Sequence, residues 1–146
     1  MIWRIGEILI QKKLINWQEL EQCLLEQSAT KDFVGQILIR KGYITSSLFY
    51  RVLAEQFDMD YVDLGHTRVN PKAVAVLPRS IAEKFQVMPF EILDDCLVVA
   101  IADPMKIWPE EEVIQMASLK AARKVLSSPG EIERAIREYY AVETGV

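Results

Sequence analysis

The side chains of this sequence that are best placed to bind a ligand are two glutamines at matching places in a repeated phrase. Gln27 closes residues 4–27, "RIGEILIQKKLINWQELEQCLLEQ", and Gln56 closes residues 33–56, "FVGQILIRKGYITSSLFYRVLAEQ". An amide side chain both donates and accepts hydrogen bonds, and burying one without partners costs about 1 to 3 kcal/mol. Its partners are either backbone groups near the end of a helix or the polar edge of a bound ligand.

Two glycines, Gly6 and Gly35, also take matching places in the two phrases. Glycine inside a helix costs roughly 0.5 to 1 kcal/mol relative to alanine, so a specific benefit must offset it. The usual benefit is close approach of another group to the backbone. Either a neighbouring helix or a ligand satisfies this requirement.

The phrases align without a gap over 24 positions, nine of which are identical, and a five-residue spacer, "SATKD", separates them. Such a repeat predicts one structural unit used twice, here a pair of helical hairpins that bury their apolar faces on each other. The first helices are expected at residues 4–12 and 33–41. Gly42 is a natural stop in the second hairpin, and Asn16 and Thr45 are expected N-caps. The identical pairs are Gly6/Gly35, Ile8/Ile37, Leu9/Leu38, Ile10/Ile39, Lys12/Lys41, Ile15/Ile44, Leu24/Leu53, Glu26/Glu55 and Gln27/Gln56.

The pattern changes after the repeats. Residues 78–146 alternate apolar runs of strand length with helical periods in the order αββαβα, which predicts a small three-stranded sheet with helices packed on it. The fold class is therefore α+β. We expect a helical tandem-motif subdomain at 1–62, a connector at 63–77 and an α/β subdomain at 78–146.

Charge and motifs exclude several function classes. Residues 1–56 hold seven Lys or Arg against six Asp or Glu, and residues 57–146 hold ten against fifteen. A broad basic face for nucleic acid is therefore not expected. The sequence has no glycine-rich phosphate loop, dinucleotide fingerprint or nucleophile elbow, so it is not expected to be an enzyme.

Metal binding, membrane insertion and export are not expected either. Cys23 and Cys96 are far apart and are predicted as small core residues, while His66, the single histidine, is predicted in a solvent-facing loop. The apolar runs are too short for a bilayer, and the N-terminus lacks the features of an export signal. These features predict a cytoplasmic protein that is not embedded in a membrane and has no cofactor.

The doubled phrase resembles the MshEN domain, the N-terminal domain of type II secretion and type IV pilus assembly ATPases of the GspE family. That domain carries a tandem 24-residue motif with a leading arginine, a glycine two residues later, a terminal glutamine and a five-residue spacer. The resemblance continues through "VMPFEILDDCLVVAIADP" and "SSPGEIERAIREYY". It implies a non-catalytic module that binds cyclic di-GMP and regulates an ATPase of a secretion or pilus machine.

The resemblance also implies ligand-binding residues. It assigns Arg4 to phosphate or guanine, and Asp103 to a guanine edge, where a carboxylate accepts from N1–H and N2–H. Asp103 followed by Pro104 is equally a good helix N-cap, so a structural role stays open. The full implied set is Arg4, Ile5, Gly6, Gln27, Phe33, Val34, Gly35, Gln56 and Asp103.

Two positions depart from the motif. Lys13 replaces the glycine of the first turn, and Phe33 replaces the arginine that leads the second copy. Loss of that charge-assisted donor is worth about 1.5 to 3 kcal/mol, or about ten- to a hundredfold in affinity, unless Phe33 stacks on a base instead. The alternative function is therefore a nucleotide-independent module that docks to an inner-membrane component of a secretion or pilus system.

Overall fold

The computed structural model describes the backbone of residues 2 to 31 and 33 to 141, and the side chains of residues 5 to 31 and 33 to 140. Tertiary contacts divide the chain into two units, Met1–Gln56 and Phe57–Val146. The described helices of the first unit are α1 (Ile2–Gln11), α2 (Trp17–Thr30), α3 (Val34–Arg40) and α4 (Ser46–Gln56). The second unit contains a 3-10 helix (Leu64–His66), α5 (Pro71–Val76), α6 (Arg79–Phe85), β1 (Met88–Leu93), β2 (Cys96–Ile101), α7 (Glu110–Met116), β3 (Ala121–Leu126) and α8 (Pro129–Ala141).

The same turn joins the helices of each hairpin. In the second hairpin Gly42 is left-handed, with φ 80°, and Tyr43 N donates to Leu38 O at 3.0 Å. In the first hairpin Lys13 is left-handed with φ 61°, and Leu14 N donates to Leu9 O at 3.0 Å. Lysine thus adopts the conformation that glycine adopts without a steric penalty, and the turn itself is unchanged.

The predicted caps are also present. The Asn16 side chain accepts from Glu19 N at 2.8 Å while Asn16 N donates to Glu19 Oε1 at 2.9 Å, which completes a capping box. In the second hairpin Thr45 Oγ1 accepts from Leu48 N at 3.3 Å. Both second helices therefore begin where the sequence places them.

Helix α2 continues three residues beyond Gln27, where the repeat predicts its end. It stops at Lys31, which is left-handed with φ 63° and donates its N–H to Gln27 O at 2.7 Å. The spacer has neither glycine nor proline to stop the helix earlier, so no residue type marks this end.

The second unit contains the predicted αββαβα order, and the α+β fold class is confirmed. Strand β1 is antiparallel to β2, and β3 is parallel to β2, in the sheet order β1-β2-β3. Asp94 and Asp95 form the turn between β1 and β2, with φ 51° and 59°, the left-handed pair that a tight hairpin requires. Helix α8 packs on β1, β2 and α6, and Tyr140 Oη donates to Leu77 O at 2.8 Å inside this core.

The segment just after α4 pairs with the sheet. Leu126 N donates to Asp60 O and Val62 N donates to Leu126 O, both at 2.8 Å. Residues 60 and 62, which the sequence placed in the first subdomain, are thus hydrogen-bonded to β3 of the second unit, because a short extended segment satisfies its backbone at a sheet edge.

Among the described residues, no helix is long and apolar enough to cross a lipid bilayer.

Candidate functional site

Gly6 and Gly35 lie against the second helix of their own hairpin. A Cβ on Gly6 would lie 2.8 Å from Leu20 Cδ1, and a Cβ on Gly35 would lie 2.2 Å from Phe49 Cζ. Leu20 and Phe49 align in the repeat and are both buried, at 3% and 6% exposure. The close approach that each glycine permits is therefore helix packing, which answers the question that the sequence left open.

The identical lysines and glutamates of the repeat form ion pairs between the two hairpins. Lys12 Nζ of the first hairpin lies 3.5 Å from Glu55 Oε1 of the second. Lys41 Nζ of the second lies 3.5 Å from Glu26 Oε1 of the first. In each pair, the lysine of one hairpin contacts the glutamate of the other, and the lysines and the glutamates occupy matching motif positions. This reciprocity is expected if a pseudo-twofold axis relates the hairpins.

Glu26 receives a further partner, because Arg40 Nη2 donates to its Oε2 at 2.5 Å. This hydrogen bond is the main cause that holds the pKa of the Glu26 carboxyl below its ordinary value. Tyr43 Oη also donates to Gln22 Oε1 at 2.7 Å, so several polar contacts join α2 to the second hairpin.

The terminal glutamines have a different environment. Gln27 is half-buried near the end of α2, and Gln56 is exposed as the last residue of α4. Within residues 5 to 31 and 33 to 140, neither side-chain amide has a hydrogen-bond partner. Backbone partners for these amides, one of the two readings of the sequence, are therefore absent from the described part of the chain.

The remaining motif positions of the first unit differ widely in exposure. Ile5 and Val34 are buried, so their side chains contribute to the helical core. Phe33 precedes α3 and is 57% exposed, so its ring is accessible from solvent. The backbone of Arg4 belongs to α1, but its side chain lies outside the described residues.

Asp103 belongs to the second unit, in the loop between β2 and α7. Its Oδ1 accepts from Met105 N at 2.9 Å, and its carbonyl accepts from Lys106 N at 3.1 Å. The side chain is exposed and supports a turn, whereas the next helix begins only at Glu110. The alternative reading as a helix N-cap is therefore wrong in detail, because Pro104 sits inside a turn and not in the first turn of a helix.

The second unit also contains a pair of carboxyl groups that the sequence did not single out. His66 Nδ1 lies 2.8 Å from Asp63 Oδ2, and Ser127 Oγ donates to Glu131 Oε2 at 3.1 Å. Burial, followed by a hydrogen bond with Asp63, raises the pKa of Glu131, while hydrogen bonds with His66 and Glu131 lower the pKa of Asp63. These contacts attach the 3-10 helix to α8.

Among the described residues, no group of three or more His, Cys, Asp or Glu side chains could hold a metal ion. Cys23 is fully buried, as predicted, and burial raises the pKa of its thiol. Cys96 is only half-buried, so its prediction as a core residue is wrong. His66 is exposed, as predicted.

A shallow depression of about 430 Å³ lies at the turn of the first hairpin. Its described lining includes none of the predicted ligand-binding residues whose side chains the structure describes. Its lining residues are Ile10, Lys13, Leu14, Ile15, Asn16, Trp17 and Glu19.

The second unit carries the sequence features of a known protein family. The family model described as "MshEN domain" matches residues 57–146. The chain belongs to the MshEN domain family. The match covers the second unit of this MshEN chain, whereas the tandem motif lies in the first unit. The motif and the family model therefore indicate the same family from different residues.

The chain is also similar to type IV pilus assembly ATPases PilB. It is 29% identical to that of Myxococcus xanthus over 141 residues and 34% identical to that of Thermus thermophilus over 138 residues, with 97% and 94% of this chain covered. The aligned region spans 25% and 15% of the length of those two relatives. This MshEN chain therefore corresponds to a minor part of each ATPase.

Solved structures share the fold. A structure of MshE with cdg has a TM-score of 0.76 and 24% identity, covering 93% of this chain and 98% of that one. The N-terminal domain of XpsE has a TM-score of 0.56 and 18% identity, covering 92% of each chain. At these identities the likeness establishes the fold of the MshEN chain and no more.

Proposed function

We propose that this chain is a non-catalytic regulatory module that binds cyclic di-GMP through its tandem motif. The proposal rests on a difference in bonding among the polar residues that are identical in the two copies of the repeat. The lysines and glutamates pair between the hairpins, whereas Gln27 and Gln56 have no side-chain partner within the described residues. Gln27 lies in the last turn of α2 and Gln56 is the last residue of α4. An amide repeated at matching motif positions, with no side-chain partner within the described residues, is suited to the polar edges of a two-part ligand.

The symmetry of the ligand supports this choice. Cyclic di-GMP has two equivalent halves and two negative charges, and the reciprocal ion pairs of the hairpins indicate a pseudo-twofold scaffold. The fold shared with MshE, whose structure contains cdg, an abbreviation of cyclic di-GMP, points to the same ligand.

Individual roles follow from chemistry and exposure. Arg4 supplies charge-assisted hydrogen bonds to phosphate or guanine, and Gln27 and Gln56 bind polar edges. Phe33, exposed beside α3, stacks on a base. Ile5, Gly6, Val34 and Gly35 hold the backbone of the first helices in place, since their side-chain positions are occupied by helix packing.

Calorimetry with cyclic di-GMP tests the proposal, with cyclic di-AMP and GTP as competitors for specificity. We expect saturable binding that Arg4→Ala abolishes and that Gln56→Ala weakens by about tenfold or more, as for loss of a hydrogen bond in a desolvated site. Gln18→Ala is the matched control, because Gln18 is exposed on α2 outside the motif positions. Absence of heat at high protein concentration would overturn the proposal.

Phe33→Arg sharpens the same experiment. It restores the charge-assisted donor of the motif and should strengthen binding by about ten- to a hundredfold. If Phe33 already stacks on a base, Phe33→Ala weakens binding. If Phe33→Ala leaves the affinity unchanged, the ring has no part in the site.

The second candidate function is nucleotide-independent docking to an inner-membrane component of a pilus or secretion machine. The exposed Phe33 in place of arginine favours it. Copurification with such a component that Arg4→Ala leaves unchanged, together with no nucleotide heat, identifies this function. In either case the cytoplasmic location and the link to an ATPase that powers pilus assembly or secretion are part of the proposal.

A further inference from the structure

The loop between β2 and α7 displays two large apolar side chains to solvent. Met105 is 74% exposed and Ile107 is 88% exposed, the highest value among the large apolar side chains that the structure describes. Single exposed apolar residues are ordinary, but two within three residues on one loop indicate a contact surface.

Hydrogen bonds hold the backbone of this loop at Met105 and Lys106. The Asp103 side chain accepts from Met105 N at 2.9 Å, and Lys106 N donates to Asp103 O at 3.1 Å, so Met105 lies inside a hydrogen-bonded turn. Trp108, the residue after Ile107, is only 6% exposed and anchors the end of the loop in the core. The turn and the buried Trp108 therefore restrain the backbone that displays Met105 and Ile107, and less backbone entropy is lost when a partner covers them.

Three consecutive carboxylates follow at the start of α7. Within the described residues, Glu110, Glu111 and Glu112 form no ion pair. Residues 57–146 hold ten Lys or Arg against fifteen Asp or Glu, so the whole unit carries a net charge of −5. An acidic surface repels anionic lipid headgroups and attracts a basic protein surface.

We propose that Met105, Ile107 and the three glutamates form a docking surface for a protein segment with an apolar pocket bordered by lysine or arginine. The two apolar side chains fill the pocket, and the glutamates pair with its border, which gives apolar burial at the centre and charge complementarity at the rim. Nucleotide binding by the tandem motif is not required for this contact.

Site-specific photo-crosslinking in the cell tests the surface on the full protein. A benzoylphenylalanine replaces Ile107 and preserves its apolar character; the same group at Lys72, exposed on α5, is the matched control. We expect a crosslinked partner only from position 107, and sequencing of the crosslinked peptide should identify a segment with net positive charge and apolar residues.

Charge reversal provides the second readout. The three substitutions Glu110→Lys, Glu111→Lys and Glu112→Lys are combined in the protein that carries benzoylphenylalanine at position 107. They should lower the crosslink yield by at least about tenfold, because like charges then face each other. Met105→Asp should lower the yield to a similar extent, and circular dichroism checks that each variant is folded. Capture of an acidic segment, of lipid or of this chain itself, or a yield that ignores charge reversal, overturns the proposal.

Discussion

The two hairpins of the first unit place side chains of different size against their equivalent glycines. In the first, Gly6 faces the flexible end of Leu20, and in the second, Gly35 faces the rigid ring of Phe49. Phe49 also packs edge-on against Tyr50 at a centroid distance of 5.1 Å. The opposite helix therefore leaves no room for a Cβ at either glycine, and we expect the second hairpin to depend on its glycine more strongly, because a ring cannot move aside as a methyl group can.

A methyl group added at these glycines should change the stability of the first unit more than any other substitution considered below. Gly35→Ala should destabilise the first unit by about 2 to 3 kcal/mol, because a Cβ there overlaps a buried ring. Gly6→Ala should cost less than about 1 kcal/mol, since the Leu20 methyl can move and alanine improves helix propensity. Urea denaturation followed by circular dichroism and by hydrogen exchange of residues 1–56 measures both values.

A double mutant tests the cause of this difference. Phe49→Leu recreates the Gly6–Leu20 arrangement in the second hairpin and should offset Gly35→Ala, with a coupling energy of at least about 1 kcal/mol. Additive effects, or equal sensitivity of the two glycines, would contradict the packing explanation.

The turns provide the next comparison. Gly42 has φ 80° with nothing within 4 Å of an added Cβ, so Gly42→Ala tests conformation alone and should cost about 1 kcal/mol. Lys13 holds the same conformation at φ 61°, and Lys13→Gly should stabilise the unit by about 0.5 to 1 kcal/mol. Thermal unfolding of the two variants beside the wild-type protein measures these opposite signs. A destabilising Lys13→Gly would show that the lysine side chain makes a contribution of its own.

The helix caps differ less. Asn16→Ala removes a capping box with two hydrogen bonds and should cost about 1 kcal/mol, whereas Thr45→Ala removes one bond of 3.3 Å and should cost about 0.5 kcal/mol. Urea midpoints of the two variants give the ranking, and a reversed ranking would contradict the assignment of the stronger cap to the first hairpin.

The smallest effect concerns the reciprocal ion pairs and depends on pH. The folded pKa of Glu26 is lowered from its ordinary value of 4.5, mainly by the hydrogen bond from Arg40. Its contribution to stability is therefore complete above pH 4.5 and is lost as the pH falls through the folded pKa. Glu26→Gln should lower the denaturation midpoint at pH 7, and the difference from wild type should vanish in acid.

Glu55→Gln is the matched control for that titration. Within the described residues, Glu55 pairs with Lys12 alone, at 3.5 Å, and its side chain is 66% exposed, so solvent screens the pair. We expect a smaller change at neutral pH than for Glu26→Gln. Equal changes would show that the bond from Arg40 contributes nothing measurable.

Much of the fold was predictable because its signals are local. Alternating apolar runs and turn residues such as Asp94 and Asp95 define the order αββαβα, which the structure confirms. The end of α2 was not predictable, because it depends on a left-handed Lys31 in place of glycine. Residues 60 and 62 pair with β3 through backbone groups, which carry no sequence signal.

The candidate site was predictable only in part. Gly6, Gly35, Gln27 and Gln56 stand out because the repeat marks them, but the repeat marks residues kept for packing and residues available to a ligand alike. The reciprocal pairing of lysine with glutamate could have been proposed from their identity in both copies. The exposure of Ile107 could not have been predicted, because isoleucine is usually buried and nothing in the neighbouring sequence marks this one as exposed.

The sequence alone shows that the first unit is a doubled hairpin whose second helices begin after Asn16 and Thr45, since a repeat, a cap and a turn are properties of neighbouring residues. The folded structure was needed to show that Leu20 and Phe49 cover the two glycines, that the lysines reach the glutamates of the other hairpin, and that the two terminal amides have no side-chain partner within the described residues. Those outcomes depend on which side chains distant parts of the chain bring into van der Waals and hydrogen-bonding range, and spacing along the chain does not encode that range.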